Sequence, residues 1–130
     1  MTMGSLTFHL SGHPPHDNET RRWHWAKRSR EMRVWRDAAN WGARGAYRDS
    51  TFAGEPRPSR IHVVFRYRVK RTRDMANLVA SLKPVIDGIV DARMLVDDGP
   101  AWLPGGPTVE EVVDPKGFDG IEVTVTEIEP

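Results

Sequence analysis

The sequence predicts a small α+β domain: a mixed sheet of about four strands with two main helices, in the order β-α-β-α-β-β. Three observations predict it. RIHVVFRYRVK, residues 60–70, alternates apolar and polar side chains with the period of a strand. Two longer stretches, about 21–41 and 77–93, repeat their apolar residues at helical spacing. Near the C-terminus, TVEEVV and IEVTVTEI alternate again, on either side of the turn-forming DPKGFDG. At 130 residues the chain has the size of a single domain, residues 1–130, able to bury a core without staples.

SLTFHL reads as a short first strand, and SGHPPHDNET as a loop in which Asn18 or Thr20 can cap a helix. The helix that follows buries Trp25, Met32, Trp35, Ala38, Ala39 and Gly42 on one stripe. Arg22, Arg30, Arg33 and Arg44 fall opposite, near Trp23 and Trp41. That face is a solvated surface, a dimer contact or a place for base stacking. STFAGEPRPS is a turn-rich loop. In the strand after it, Ile61, Val63, Phe65, Tyr67 and Val69 point to the core. His62, Arg66, Arg68 and Lys70 form an opposite row, spaced about 6.6 to 7 Å apart, close to the phosphate spacing of one DNA strand.

The second helix buries Leu78, Leu82, Val85, Ile86 and Ile89, and Pro84 either kinks it or marks where its regular part begins. The two C-terminal strands are expected to form a hairpin.

The absence of cysteine excludes disulfides, zinc–thiolate sites and thiol catalysis. No signal peptide or membrane span is evident, so the cytoplasm is the expected location. The net charge of +1 hides an asymmetry. Residues 1–73 carry 16 Lys and Arg against 6 acids, and residues 74–130 carry 3 against 12. Such a division fits a first half that faces a polyanion, or two halves that neutralise each other on folding. The five histidines show no tight metal-ligand spacing.

Candidate chemistry gathers around the second helix. Asp74 stands before it, directly after the basic strip Lys70, Arg71 and Arg73; Asp87 and Asp91 lie along it; Asp97 and Asp98 follow it. Magnesium takes hard oxygen ligands, so these carboxylates suit it if the chain folds back after the helix. Each has a plainer reading too. Asp74 can cap the helix, Lys83 and Asp87 can form an i,i+4 pair, and Asp97-Asp98-Gly99 can be a turn.

RDMANLVASLKPVIDGIVDARMLVDD resembles the core of the RusA-type Holliday junction resolvases. Arg73, Asp74, Asn77 and Leu78 match that family's R-D-x-D-N-L box, Lys83 and Asp87 its Lys–Asp pair, and Asp97–Asp98 its closing acids. PPHDN is similar to its early loop, and IEVTVTEI to its last strand. The resemblance implies a homodimer that binds branched double-stranded DNA, without membrane contact, and cuts four-way junctions by paired phosphodiester hydrolysis with Mg2+ or Mn2+. It implies Asp74, Asp97 and Asp98 as metal ligands, and Lys83, with Asp74 and Asp98, as catalytic. Arg66, Arg68, Lys70, Arg71 and Arg73 would hold the DNA backbone. Two departures bear on this. Ala76 stands where the box has its second acid, and VAS delays Lys83 by three residues, almost one helical turn. The alternative is a protein of the same fold that binds junctions without cutting them.

Overall fold

A computed structural model describes residues 4–48, 50–52, 57–71 and 73–128, without the side chains of residues 17 and 18. Its elements are β1 (Ser5–Ser11), α1 (Asp17–Thr20), α2 (Trp25–Tyr47), β2 (Ser59–Tyr67), α3 (Met75–Ala80), α4 (Lys83–Asp91), β3 (Thr108–Val113) and β4 (Gly120–Glu127). The predicted order holds, with a single turn of helix added as α1 and the second helix divided into α3 and α4. The sheet is mixed, in the order β1-β4-β2-β3. β4 runs antiparallel to both β1 and β2, and β3 lies parallel to β2.

The expected C-terminal hairpin does not form, because β2 lies between β3 and β4. β4 buries Ile121, Val123 and Val125 completely and is paired along both edges, as a central strand should be. The more polar β3 takes an edge, where unpaired backbone meets water. The segment joining them therefore crosses the end of β2. It is tied there by Asp114 N–H donating to Tyr67 C=O at 2.8 Å and Arg68 Nε donating to Gly117 C=O at 2.9 Å.

Alternation decides the two faces of the sheet. Leu6, Phe8, Ile61, Val63, Phe65 and the β4 residues named above join one core with Ala39, Ala43, Leu82, Val85 and Ile89 of the helices. On the other face Thr7 meets Thr124, His9 meets Glu122, and His62 meets Thr108 and Glu110. β2 ends at Tyr67, so the cation row does not run on as a strand. Arg68, Val69 and Lys70 lie beyond it, and Val69 is exposed rather than in the core.

The first long helix starts later and runs further than its apolar pattern suggested. His24 Nδ1 accepts from Ala26 N–H at 3.2 Å and caps α2, a place expected for Thr20; the side chain of Asn18 lies outside the described residues. Trp25, predicted to be buried, is 74% exposed, while Ala43, one turn after Ala39, is fully buried. Small residues dominate the buried stripe because neighbours come close. A Cβ at Gly42 would lie 2.7 Å from Phe8 Cδ2, and one at Gly88 would meet the Arg36 carbonyl and stand 2.7 Å from Ala39 Cβ. Beside this crossing, Arg36 forms a two-pronged bond to Asp91, 2.6 and 2.8 Å long. Arg44, expected on the solvated face, donates to Asn40 Oδ1 and to the Asp91 carbonyl. The turn-rich loop at 50–59 lies partly outside the described residues.

Gly88→Ala is expected to destabilise the fold by about 1–3 kcal/mol in urea denaturation, despite the better helix propensity of alanine. An unchanged or raised midpoint would mean that α2 and α4 are not closely packed. The Arg36 guanidinium, by hydrogen bond and charge, holds the Asp91 carboxyl below the ordinary carboxylate range. A group lowered in the folded state contributes stability above its unfolded value and loses it as pH falls. Asp91→Asn should therefore flatten the acid limb of the stability–pH curve, as followed by thermal melting.

Candidate functional site

Three loops meet at one end of the sheet because of its register. Ser11 and Arg66 both stand opposite Gly120, so the exits of β1 and β2 lie beside the entry to β4. Around them is a cleft of about 540 Å3, walled by His13 and Pro14, by Tyr67, Arg68, Arg71, Arg73 and Asp74, by Asn77 and Ser81, and by Asp119. This is the carboxyl end of β2, and β2-α3-α4-β3 is a parallel crossover unit; ligands of open α/β sheets favour that end.

Arg73 organises the loop. Its guanidinium carbon lies 3.4 Å from the centre of the Tyr67 ring, and its nitrogens donate to Glu111 Oε1 at 3.1 Å and to the carbonyls of Val69 and Arg71. His13 stacks on Tyr67 with ring centres 4.1 Å apart and bonds the Arg66 carbonyl at 2.8 Å. Burial, the largest influence on it, raises the Tyr67 hydroxyl pKa. Sequence reasoning missed Tyr67 and His13; their only local signals were an aromatic at a strand end and a His beside two prolines.

The predicted DNA-contacting cations divide into two groups. Arg73 is mostly buried and committed to Glu111, and Arg66 pairs with Glu122 at 3.4 Å. Arg68 is exposed, although its Nε is bonded to Gly117; Lys70 and Arg71 are exposed as well.

Asp74 caps α3, its Oδ1 accepting from Ala76 N–H at 2.9 Å, which is the plainer of its two readings. It also lines the cleft, so the cap does not exclude a further role. The VAS segment does not return Lys83 to the α3 face as part of one helix. α3 ends at Ala80, Ser81 and Leu82 form a turn, and Lys83 opens α4 with Pro84 beside it. Proline has no N–H to give to the Ala80 carbonyl, which accounts for the break.

Lys83 Nζ bridges two carboxylates, lying 2.5 Å from Asp98 Oδ2 and 3.0 Å from Asp87 Oδ1. The chain does fold back after α4, as a site at this helix requires. Lys83 is 64% exposed, so the pair meets water. The bond from Lys83, foremost, holds the Asp98 carboxyl below its ordinary range, and Asp98 together with Asp87 raises the Lys83 pKa. Asp97 turns to its own loop, accepting from Gly99 N–H at 3.2 Å. Lys83 and Asp87 border a second cleft with Pro15, Met32, Arg33 and Arg36, and Ser81 lines both clefts. Thus Lys83, Asp87 and Asp98 are gathered, while Asp74 lies with Asn77 and Asp119. Among the described residues, no three His, Asp or Glu side chains stand close enough to share one metal ion. Nor is any helix among them long and apolar enough to cross a membrane.

The chain matches no known protein-family model and no curated protein.

Two substitutions at Asp74 separate its roles. Asp74→Ala should cost about 1 kcal/mol of stability by removing the cap, while Asp74→Asn, an equally good cap, should cost almost nothing. Equal losses in chemical denaturation would show that the charge, rather than the capping oxygen, stabilises α3.

Proposed function

We propose that the protein is a homodimeric, metal-dependent endonuclease of the RusA type that resolves four-way DNA junctions. The observation that carries this reading is the Lys83–Asp98 contact. Two residues selected by the motif, fifteen positions apart, meet on an exposed surface at the start of α4. A long-range pair kept in water contributes little to stability, which favours a chemical use for it.

The acids that the resemblance selects do not converge among the described residues: Asp98 and its chain neighbour Asp97 stand by Lys83, while Asp74 lines the cleft at the end of the sheet. A magnesium or manganese ion would therefore have at most one or two carboxylates from the protein, with waters and phosphate oxygens completing its shell. When bound, the ion supplies Lewis acidity, making water a better nucleophile and neutralising charge on the phosphoryl group. Lys83 places an ammonium where negative charge grows on that group. Arg68, Lys70 and Arg71 hold the sugar–phosphate backbone without reading bases. Arg73 pairs with Glu111 and bonds the carbonyls of Val69 and Arg71, while Arg66 pairs with Glu122 across the sheet.

Ala76 favours a second reading, a junction-binding protein that does not cut. Incubating an end-labelled four-way junction with the protein and Mg2+, Mn2+ or chelator decides between them. Metal-dependent product is expected, lost in Asp98→Asn and reduced about 10²–10³-fold in Lys83→Met. Tight binding without product in either metal would support the second reading. Substituting Lys70 and Arg71 by Ala should lower the salt dependence of junction binding, with the log–log slope falling by about 1 for each phosphate no longer neutralised. An unchanged slope would mean that the DNA backbone is held elsewhere on the protein.

A further inference from the structure

The basic and aromatic residues at the start of α2 have no role in the reading above. Residues 21–33, RRWHWAKRSREMR, hold six cations, Arg21, Arg22, Lys27, Arg28, Arg30 and Arg33, against the single acid Glu31. All six are exposed. Among them Trp25 stands 74% exposed, and Lys27 Nζ lies 4.2 Å from the centre of the Trp23 ring. Resting on the nuclease reading for its choice of DNA, we propose that this patch binds single-stranded DNA. Phosphates lie on its cations, and an unpaired base stacks on Trp25.

Three features argue for a polyanion with uncovered bases. Folding gains nothing from the cations as they are arranged. Lys27, Arg30 and Arg33 follow one another at i,i+3, where like charges repel, and no acid stands in the first turn, where the helix dipole favours one. An anionic partner relieves both costs. Trp25, secondly, is held in water among cations rather than in the core. An indole so placed is a stacking platform, which suits a single strand because a duplex keeps the faces of its bases covered. The patch, finally, adjoins the candidate site. Arg28 and Arg33 line the second cleft, of about 640 Å3, together with Lys83. A strand that passes Lys83 runs along this cleft onto α2. A second copy of the chain is a poorer occupant, since a two-fold contact through the patch sets like charges against each other.

Fluorescence anisotropy of a labelled oligothymidylate of about twelve nucleotides, titrated in chelator so that nothing is cut, tests the proposal. Trp25→Ala should weaken binding by about 5- to 150-fold, the loss of one stacked base, and Trp25→Phe should restore most of it. Binding of a duplex of the same length should be nearly unchanged in Trp25→Ala. Trp41→Ala, which removes a similarly exposed indole near the other end of α2, should leave single-strand binding as it was. Replacing Arg30 and Arg33 together by Ala should lower the log–log salt slope by about 0.7 for each phosphate no longer neutralised. Trp25→Ala binding like the natural chain, an equal loss in Trp41→Ala or on the duplex, an unchanged salt slope, or a preference for oligouridylate would each overturn the proposal. A protein that passes these tests but cuts no junction keeps the patch and loses the nuclease. One that cuts junctions but binds oligothymidylate equally well with Ala in place of Trp25 keeps the nuclease and loses the patch.

Discussion

Burial of Leu95 and Leu103 brings the chain back beside the helix it has just left, and the candidate site depends on that return. Both side chains are 2% exposed and belong to the core. Each contributes about 1.5–3 kcal/mol through removal of apolar surface from water, whereas an exposed ion pair gives at most about 1 kcal/mol. Packing therefore closes the segment, and the Lys83–Asp98 pairing is a consequence of that closure. Positive φ at Arg93, where the chain leaves α4, helps reverse its direction. Because the fold does not rest on the ion pair, its two charges are available to a ligand.

The same economy appears at the end of the sheet. The β3–β4 segment crosses β2 and draws Asp119 beside the loops that carry His13 and Arg73. Arg73 neutralises Glu111, lies over Tyr67 and bonds the carbonyls of Val69 and Arg71. The charge asymmetry between the two halves of the sequence is thus partly cancelled within the fold, through Arg73–Glu111, Arg66–Glu122 and Arg36–Asp91. Lys70 and Arg71 remain on the surface beside the cleft. A wholly basic strip was the simpler expectation. The structure divides it into cations that build the loop and cations that face solvent.

Periodicity made the element order legible, since burial on one face writes the same rhythm into sequence and structure. It did not reveal which strands are neighbours. TVEEVV and IEVTVTEI look like a hairpin in sequence, but the insertion of β2 depends on which strand has enough apolar side chains to be buried along both edges. Trp25 followed helical spacing and is nonetheless exposed, because α2 meets its neighbours through Ala39, Gly42 and Ala43, whose small side chains give a weak hydrophobic signal. At the candidate site, the pairing of Lys83 with Asp87 follows from spacing alone. That with Asp98 needed the returning chain, which only Leu95 and Val96 hinted at, and of these Val96 is exposed. The stack of His13 on Tyr67 had no sequence signal beyond residue type, since it joins positions more than fifty residues apart.

The position of the nicks tests the resolvase reading most directly. Products from each of the four strands of a labelled junction should be mapped after reaction with Mg2+, beside a linear duplex of the same sequence. Cuts are expected at matching places on two opposed strands, with the duplex left whole. Cutting of the duplex as readily as the junction, or nicks scattered over all four strands, would contradict it.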